Sequence, residues 1–147
     1  GVFCGGNDGV GAAYASNVMQ YITIDTTGNS TDFGDLLSAL RDTSACSNDT
    51  RAVIAGGNIN VGNDWSNVIQ YITVASTGNA TDFGDLISAN AVMAAVANST
   101  RAVFSGGDQG GSTENMSYVT IATTGNATDF GDMLNYKTSM NGACSGD

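Results

Sequence analysis

Paired aspartates are the most frequent arrangement of chemically active side chains in this sequence. Each pair flanks a Phe-Gly dipeptide, and the pairs are Asp32 with Asp35, Asp82 with Asp85, and Asp129 with Asp132. Two carboxylates could act as acid and base on a glycosidic bond, or could offer oxygen ligands to Ca²⁺. No pair differs from the others, and the Asp-x-Asp-x-Asp-Gly spacing of calcium loops is absent. We therefore expect turn-capping aspartates and no cofactor, with calcium as a weak alternative.

The amino-acid composition excludes several other types of catalytic site. The chain has no His, which excludes a Ser-His-Asp triad and any His-bearing metal centre. Cys4, Cys46 and Cys144 lack the spacing of metal ligands. Cys46 and Cys144 occupy corresponding places two repeats apart, too far for a disulfide, so we expect free and mostly buried thiols. The sequence thus predicts a protein that is not an enzyme, with a fragment of a propeller glycoside hydrolase as a less favoured alternative.

The aspartate pairs belong to a segment that the chain repeats. The segment Gly28 to Leu36 returns as Gly78 to Leu86 and again as Gly125 to Met133, at intervals of about fifty residues. One such unit cannot bury its apolar face alone and has to stack on its neighbours. We divide the single repeat domain 1–147 into repeat 1 (1–50), repeat 2 (51–100) and repeat 3 (101–147).

Each repeat reads as a set of short β-strands. An apolar run ends in a Gly pair, as at Ala52 to Gly57, and a second run alternates with period two, as at Val68 to Val74. The Thr-Gly-Asn step then suits a tight hairpin, and the Gly pair suits a close approach of two backbones. We predict an all-β fold of three tandem four-stranded antiparallel propeller blades, forming a partial ring or one completed by further chain or by oligomerisation.

Aromatic residues recur at equivalent places in the repeats, and we expect them to pack between blades because each buries a large apolar area. A stacking platform for sugar rings is the less favoured alternative. These predicted core residues are Tyr21, Phe33, Tyr71, Phe83, Tyr118 and Phe130.

The Gly pairs, the aromatic strands and Arg41 in the linker resemble a kelch repeat. The longer pattern Tyr-Ile-Thr-Ile-x-Thr-Thr-Gly-Asn-x-Thr-Asp-Phe-Gly-Asp-Leu resembles kelch-like repeats of bacteriophage virion and tail-fibre proteins over essentially the whole chain. That resemblance implies a virion structural protein, extracellular or at the virion surface. The units also differ, since we align Asn90 with Arg41 and Val96 with Cys46.

Three loops vary in length and sequence while the strands around them do not. They run from Asn7 to Asn17, from Asn58 to Asn67 and from Asp108 to Asn115. Loops on a rigid scaffold commonly carry binding, and a loop Trp could anchor a sugar or a protein, or fold back on its own blade. The candidate ligand- or partner-binding residues are Asn7, Asp8, Tyr14, Asn58, Asn63, Asp64, Trp65, Asp108, Gln109 and Glu114.

Six Asn-x-Ser/Thr sequons accompany the turns, and we favour turn composition over glycosylation as their explanation. The possible glycosylation sites are Asn29, Asn48, Asn79, Asn98, Asn115 and Asn126.

The balance of charge limits the partners. The net charge is -10, and the basic residues Arg41, Arg51, Arg101 and Lys137 are scattered, which argues against nucleic acid. No apolar run has the roughly 20 residues that a membrane helix needs. The sequence starts and stops at the same point of the repeat, so we expect its partners to be the rest of a longer repeat polypeptide, which we favour, or other copies of the chain.

These observations leave two main hypotheses. The first is a non-enzymatic structural or recognition module of a phage fibre or appendage that presents its variable loops to a host glycan or a partner protein. The second is a self-assembling protein that forms a ring or fibre without a small ligand.

Overall fold

The computed structural model describes residues 1–7, 9, 15–59, 64–137 and 142–145. Within these ranges the chain is all-β, as predicted, and contains no helix that could span a membrane. The strands are β1 (Val2–Cys4), β2 (Ser16–Tyr21), β3 (Thr31–Leu40), β4 (Ser44–Ser47), β5 (Arg51–Ala55), β6 (Val68–Thr73), β7 (Thr81–Asp85), β8 (Ala94–Ala97), β9 (Arg101–Ser105), β10 (Thr113–Thr120) and β11 (Thr128–Lys137).

The strands form three antiparallel sheets in which neighbours in sequence are neighbours in space. The first sheet is β1-β2-β3, the second is β4-β5-β6-β7, and the third is β8-β9-β10-β11. The second and third sheets therefore have the four strands expected of each repeat. The first sheet has three strands among the described residues, which differs from the prediction of four.

The sheets are offset from the sequence repeats. Strand β4 lies in repeat 1 but pairs with β5 of repeat 2, with Cys46 opposite Val53. Strand β8 lies in repeat 2 and pairs with β9 of repeat 3, with Val96 opposite Val103. Because an edge strand of each later sheet comes from the preceding repeat, hydrogen-bonded ladders join consecutive repeats.

Two apolar cores lie between consecutive sheets. The first core joins the first and second sheets. The first sheet contributes Met19, Phe33, Leu36 and Leu40, and the second contributes Ile54, Ile72 and Ala80. The second core contains Val53, Ile69, Phe83 and Leu86 with Ala102, Phe104, Val119 and Ile121 of the third sheet. Burial between stacked sheets is thus the main stabilising term of this part of the chain.

The Gly pairs mark a close approach of two backbones, as expected. Gly56 has a φ of 64°, and a Cβ there would collide with the carbonyl oxygen of Asn90. The amide of Gly57 donates to that same oxygen at 2.9 Å. In the first sheet the equivalent acceptor is Leu40, which accepts from Gly6. Asn90 therefore corresponds to Leu40.

The predicted alignment of Asn90 with Arg41 is wrong by one residue. Isolated bridges join Arg41 to Asn58 and Ala91 to Asp108 at the two equivalent corners. Ala91 is thus the counterpart of Arg41. The backbone sets the correspondence: Leu40 and Asn90 carry the carbonyl oxygens that accept from Gly6 and Gly57, and Arg41 and Ala91 directly follow them.

Candidate functional site

The three variable loops are closed in the same way. Their bases are pinned by bridges between Asn7 and Ala15, Asn58 and Trp65, and Asp108 and Ser112. The second and third bases are also bridged to the ends of the preceding sheets, through Arg41 and Ala91 respectively. The loops therefore leave equivalent corners of three stacked sheets, and this group of loops is called the loop face below.

The first residue of the first and of the third loop bonds within its own loop, whereas that of the second loop bonds outside it. The Asn7 side-chain oxygen accepts from the Gly9 amide at 3.1 Å. One carboxylate oxygen of Asp108 accepts from the amides of Gly110 and Gly111, both at 3.0 Å. Asn58 is buried and donates to the Asp42 carboxylate at 3.0 Å. We therefore assign Asn58 to holding the corner, although the sequence pointed to it as a ligand-contacting residue.

Other candidate residues lie further out on the loop face. Asp64 is exposed, whereas Trp65 is half-buried. A Cβ on Gly110 would lie 3.5 Å from the Trp65 ring, so Trp65 reaches across to the third loop. Gln109 accepts from the Ser88 hydroxyl at 2.9 Å, and Glu114 is half-buried on β10. The candidates Asp8, Tyr14 and Asn63 lie outside the described residues.

A second recurring arrangement joins one sheet to the next, and we call it the junction. At the first junction the amides of Gly78 and Ala80 donate to the carbonyl oxygens of Phe33 and Asp35, at 2.7 and 2.8 Å. The Asp35 amide donates to the Asn79 side-chain oxygen at 3.0 Å. The Thr-Gly-Asn turn of one sheet thus lies along the edge of the last strand of the preceding sheet and satisfies it.

The second junction repeats this geometry. Gly125 and Ala127 donate to Phe83 and Asp85 at 2.7 and 2.8 Å. The Asp85 amide donates to the Asn126 side-chain oxygen at 3.0 Å. A Cβ on Gly84 would lie 2.5 Å from the Gly125 carbonyl oxygen, so only Gly permits this approach. The Phe-Gly-Asp motif is therefore a docking edge for a turn.

An arginine reinforces the second junction. The Arg51 guanidinium lies over the Tyr71 ring, 4.5 Å from its centroid. Its Nη1 donates to the carbonyl oxygens of Ile121 and Ala122 in the next sheet, at 3.1 and 3.0 Å. Arg101 stacks on Tyr118 in the same way, at 4.6 Å. The repeated Arg is thus a cation placed to reach the next sheet, a role that its sequence position did not reveal.

The aromatic residues pair within sheets and pack between them. Tyr and Phe of each sheet meet edge to face, with ring centroids 6.0, 5.9 and 5.9 Å apart. Phe33 and Phe83 are 5% and 2% exposed and belong to the first and second cores respectively. Phe130 is 48% exposed, so the prediction that it belongs to the core is wrong for the described residues. No further sheet of this part of the chain covers it.

The sequon side chains mostly hold structure. Asn48 accepts from the amides of Thr50 and Arg51 and donates to the Ser99 carbonyl oxygen at 3.0 Å. Asn98 accepts from Thr100 and Arg101 at 2.8 Å, and Asn79 and Asn126 bind the junctions as described. Asn29 and Asn115 are exposed. These roles favour turn chemistry as the reason for the sequons, and their glycosylation stays an open alternative.

The three cysteines are free, in different environments. Burial raises the pKa of Cys4 to about 11 and the pKa of Cys46 to about 12, because a thiolate there would lose its hydration. Cys144 is exposed, so the prediction of a mostly buried thiol is wrong for this residue. Cys46 packs beside the second core on β4.

The aspartate pairs do not assemble a metal centre among the described residues, where no three His, Cys, Asp or Glu side chains come together. A cleft of about 170 Å³ opens between the second and third sheets, lined by Ile87, Asn90, Gln109, Ser117 and Asp129 among others. Leu86, Met93 and Phe104 of the second core also line it, together with one carboxylate, that of Asp129. The geometry of this region therefore offers packing space rather than a pair of opposed carboxylates.

Comparison with known proteins yields the fold. No family model matches the chain, and no curated protein matches it. Among solved structures, the one titled "Structure of YjhT" superposes with a TM-score of 0.71 at 10% sequence identity, over 90% of this chain. The match covers 49% of that chain, so the protein spans about half the length of this neighbour. At this identity the likeness concerns the arrangement of sheets alone.

Proposed function

We propose that the chain is a non-enzymatic recognition module of a virion appendage, built as part of a propeller, whose loops bind a host glycan. The observation that carries this proposal is the loop face. Three loops of different sequence leave equivalent corners of three sheets that repeat almost the same backbone. A scaffold that is constant while its loops differ is typical of binding proteins.

The propeller part of the proposal is supported by the stacking. Three consecutive antiparallel sheets, of three, four and four strands, meet through two junctions with the same hydrogen bonds, as expected of a repeating radial array. The overlap with YjhT at a TM-score of 0.71 is consistent with it. The virion appendage is suggested by the resemblance of the repeat to phage fibre proteins.

The glycan part rests on the side chains of the loop face. Trp65 is half-buried with its ring beside Gly110, and the exposed carboxylate of Asp64 precedes it. An aromatic face next to a hydrogen-bond acceptor suits a sugar ring, whose C–H face stacks while its hydroxyls donate. A protein partner is the second candidate ligand, because a loop Trp is also a frequent interface anchor.

The single Trp of the chain allows a direct test. Immobilised glycans of bacterial surfaces would be screened, and any binder would then be titrated while Trp65 fluorescence is recorded. We expect saturable binding with a change of emission, and a loss of at least about tenfold in affinity for Trp65→Ala. Val74→Ala, which removes a partly exposed apolar side chain at the end of β6 opposite the second loop, should leave affinity unchanged. Equal binding by wild type and Trp65→Ala would contradict the proposal.

A further inference from the structure

Each junction joins a docking edge of one sheet to a docking turn of the next. The third sheet has an exposed docking edge, and the first sheet has an exposed docking turn. On the third sheet, β11 repeats the docking edge as Phe130, Gly131 and Asp132, and a Cβ on Gly131 would meet nothing within 4 Å. On the first sheet, the turn Gly28-Asn29 repeats the docking turn and is exposed. We call the exposed side of the third sheet the tail face and that of the first sheet the head face.

The apolar surfaces of these faces match the same pattern. On the head face Phe3 and Ile24 are 61% and 79% exposed. Their counterparts in the third sheet, Phe104 and Ile121, are 1% and 0% exposed because the second sheet covers them. On the tail face Phe130 is 48% exposed, while its counterpart Phe83 is 2% exposed. Each end thus exposes residues that an internal junction buries.

Charge is complementary across the two faces. Arg101 is exposed on the tail face and stacks on Tyr118 as Arg51 stacks on Tyr71. Arg51 donates to the carbonyl oxygen of Ala122, and the counterpart of Ala122 in the first sheet is Asp25. An arginine on one face would therefore meet an aspartate, where the internal junction has an alanine.

We propose that a second copy of this chain docks head to tail on the first through this junction. The Gly28 amide of one copy donates to the Phe130 carbonyl oxygen of the other, and the Asn29 side-chain oxygen accepts from the Asp132 amide. Arg101 binds the Asp25 segment. The same contact made twice closes a dimer of six sheets, within the roughly four to eight of closed propellers. One copy matches 49% of the YjhT chain, so two copies together would match about its whole length.

The segment 142–145 completes the first sheet of the second copy. Gly142 and Ala143 line one groove with Ala94 and Ala95 of β8, and Ser145 lines another with Asn98 and Ser99. This places the segment beside β8, as β8 itself lies beside β4. Cys144-Ser145 repeats Cys46-Ser47, which pairs with β5. The segment therefore adds to the free edge of β1 in the second copy as its fourth strand.

A complementation experiment tests the polarity of this contact. Light scattering of the wild type should give about twice the chain mass of 14.9 kDa. Phe3→Asp and Phe130→Asp should each be monomeric, since each introduces a charge into one face. Mixing the two should restore a dimer, because the first retains an intact tail face and the second an intact head face. Ala75→Asp, at an exposed turn of the middle sheet that belongs to neither face, should remain dimeric.

Cross-linking tests the register without relying on a disruptive variant. Cys46 lies opposite Val53 in the second sheet. Because Cys144 corresponds to Cys46 and Val2 corresponds to Val53, the proposed contact places Val2 of one copy opposite Cys144 of the other. In a chain that also carries Cys4→Ser and Cys46→Val, Val2→Cys should give a covalent dimer under mild oxidation. Gly1→Cys should not, because a Cβ at Gly1 lies beside Ile24 on the opposite side of the sheet from Val2, and this change removes no side chain from the head face. A monomeric wild type, or equal cross-linking from both positions, would overturn the proposal.

Discussion

Gln70 and Leu37 are joined across the first junction, where the Gln70 side-chain oxygen accepts from the Leu37 amide at 2.9 Å. Gln70 is 1% exposed, so this bond is formed away from water. At the second junction the counterpart of Gln70 is Ser117 and that of Leu37 is Ile87, and both line the cleft of about 170 Å³. The cleft is thus the space that a longer side chain fills in the first junction.

Restoring that side chain should stabilise the protein. We expect Ser117→Gln to fill the cleft and to accept from the Ile87 amide, raising the free energy of unfolding by about 0.5–2 kcal/mol. Ser117→Glu has nearly the same shape but brings a charge toward Asp129, and should give no gain. Urea unfolding of the three proteins at one pH is the measurement. A Gln variant no more stable than the Glu variant would show that the cleft is not a packing defect.

The two docking edges provide a matched pair of glycines. Gly84 and Gly131 have φ values of 145° and 126°, but a Cβ would collide with the Gly125 carbonyl oxygen only at Gly84. In a Phe3→Asp background, where no second copy docks, Gly84→Ala should cost about 1–3 kcal/mol more stability than Gly131→Ala. Thermal unfolding measures the difference. Equal losses would mean that backbone strain, rather than contact with the turn, determines both.

The buried thiols predict a loss of stability at alkaline pH. The pKa values of Cys4 and Cys46 are raised from 9.0 to about 11 and about 12, so above pH 9 the unfolded chain releases these protons first. The contribution of the two protonated thiols to the free energy of unfolding is fully present below pH 9. It is lost as the pH rises through the folded pKa values, by up to about 1.4 kcal/mol for each unit by which a thiol pKa is raised. Valine stands at the equivalent position of repeat 2, Val96. We therefore expect Cys46→Val to fold and to show a smaller fall in the free energy of unfolding between pH 8 and pH 11.

Thiol reactivity offers a simpler check of the same environments. With an aromatic disulfide reagent at pH 8, exposed Cys144 should react in a fast phase, and Cys4 and Cys46 in a slow one, because the thiolate is the reactive form. Cys144→Ser should remove the fast phase alone. Loss of a slow phase in that variant would place Cys144 in the interior instead.

Val92 is a strained position that a single substitution should relieve. Its φ is 57°, a conformation that β-branched residues rarely adopt, and its counterpart Asp42 has the same φ. We expect Val92→Asn to gain about 1 kcal/mol, since Asn tolerates this region and keeps the amide that donates to the Asp42 carbonyl oxygen at 3.0 Å. Val92→Thr stays β-branched and should gain nothing. The two melting temperatures decide between them.

The sequence was a sufficient guide to the strands but not to how they are shared among sheets. Alternation and Gly-Asn turns predicted β6 and β10 because those signals are local. The assignment of β4 to the second sheet depends on pairing of Cys46 with Val53, which no local signal encodes. Similarly, the repeat could show that Phe130 corresponds to Phe83, but its exposure of 48% depends on whether another sheet follows.

The junctions were missed for a related reason. Asn79 and Asn126 looked like turn residues, and they are, yet their side-chain oxygens also accept hydrogen bonds from the backbone amides of Asp35 and Asp85 in the preceding sheet. A recurring Asn directly after Gly, in register with a recurring Phe-Gly-Asp, was the available signal. Interpreting it required knowing that the turn lies against an edge strand. The variable loops could be identified because their differences in length are visible when the sequences of the three repeats are aligned.

The hydrogen bonds that fasten one sheet to the next are made largely by main-chain groups, with Phe33 and Phe83 each offering only a carbonyl oxygen. Recognition of this kind depends little on which side chains a unit carries elsewhere. Copies of the unit are therefore interchangeable parts, and a gene could lengthen or shorten the array by duplication or deletion without inventing a new fit. An engineered chain with an additional unit inserted after Met93 should accept it on the same terms.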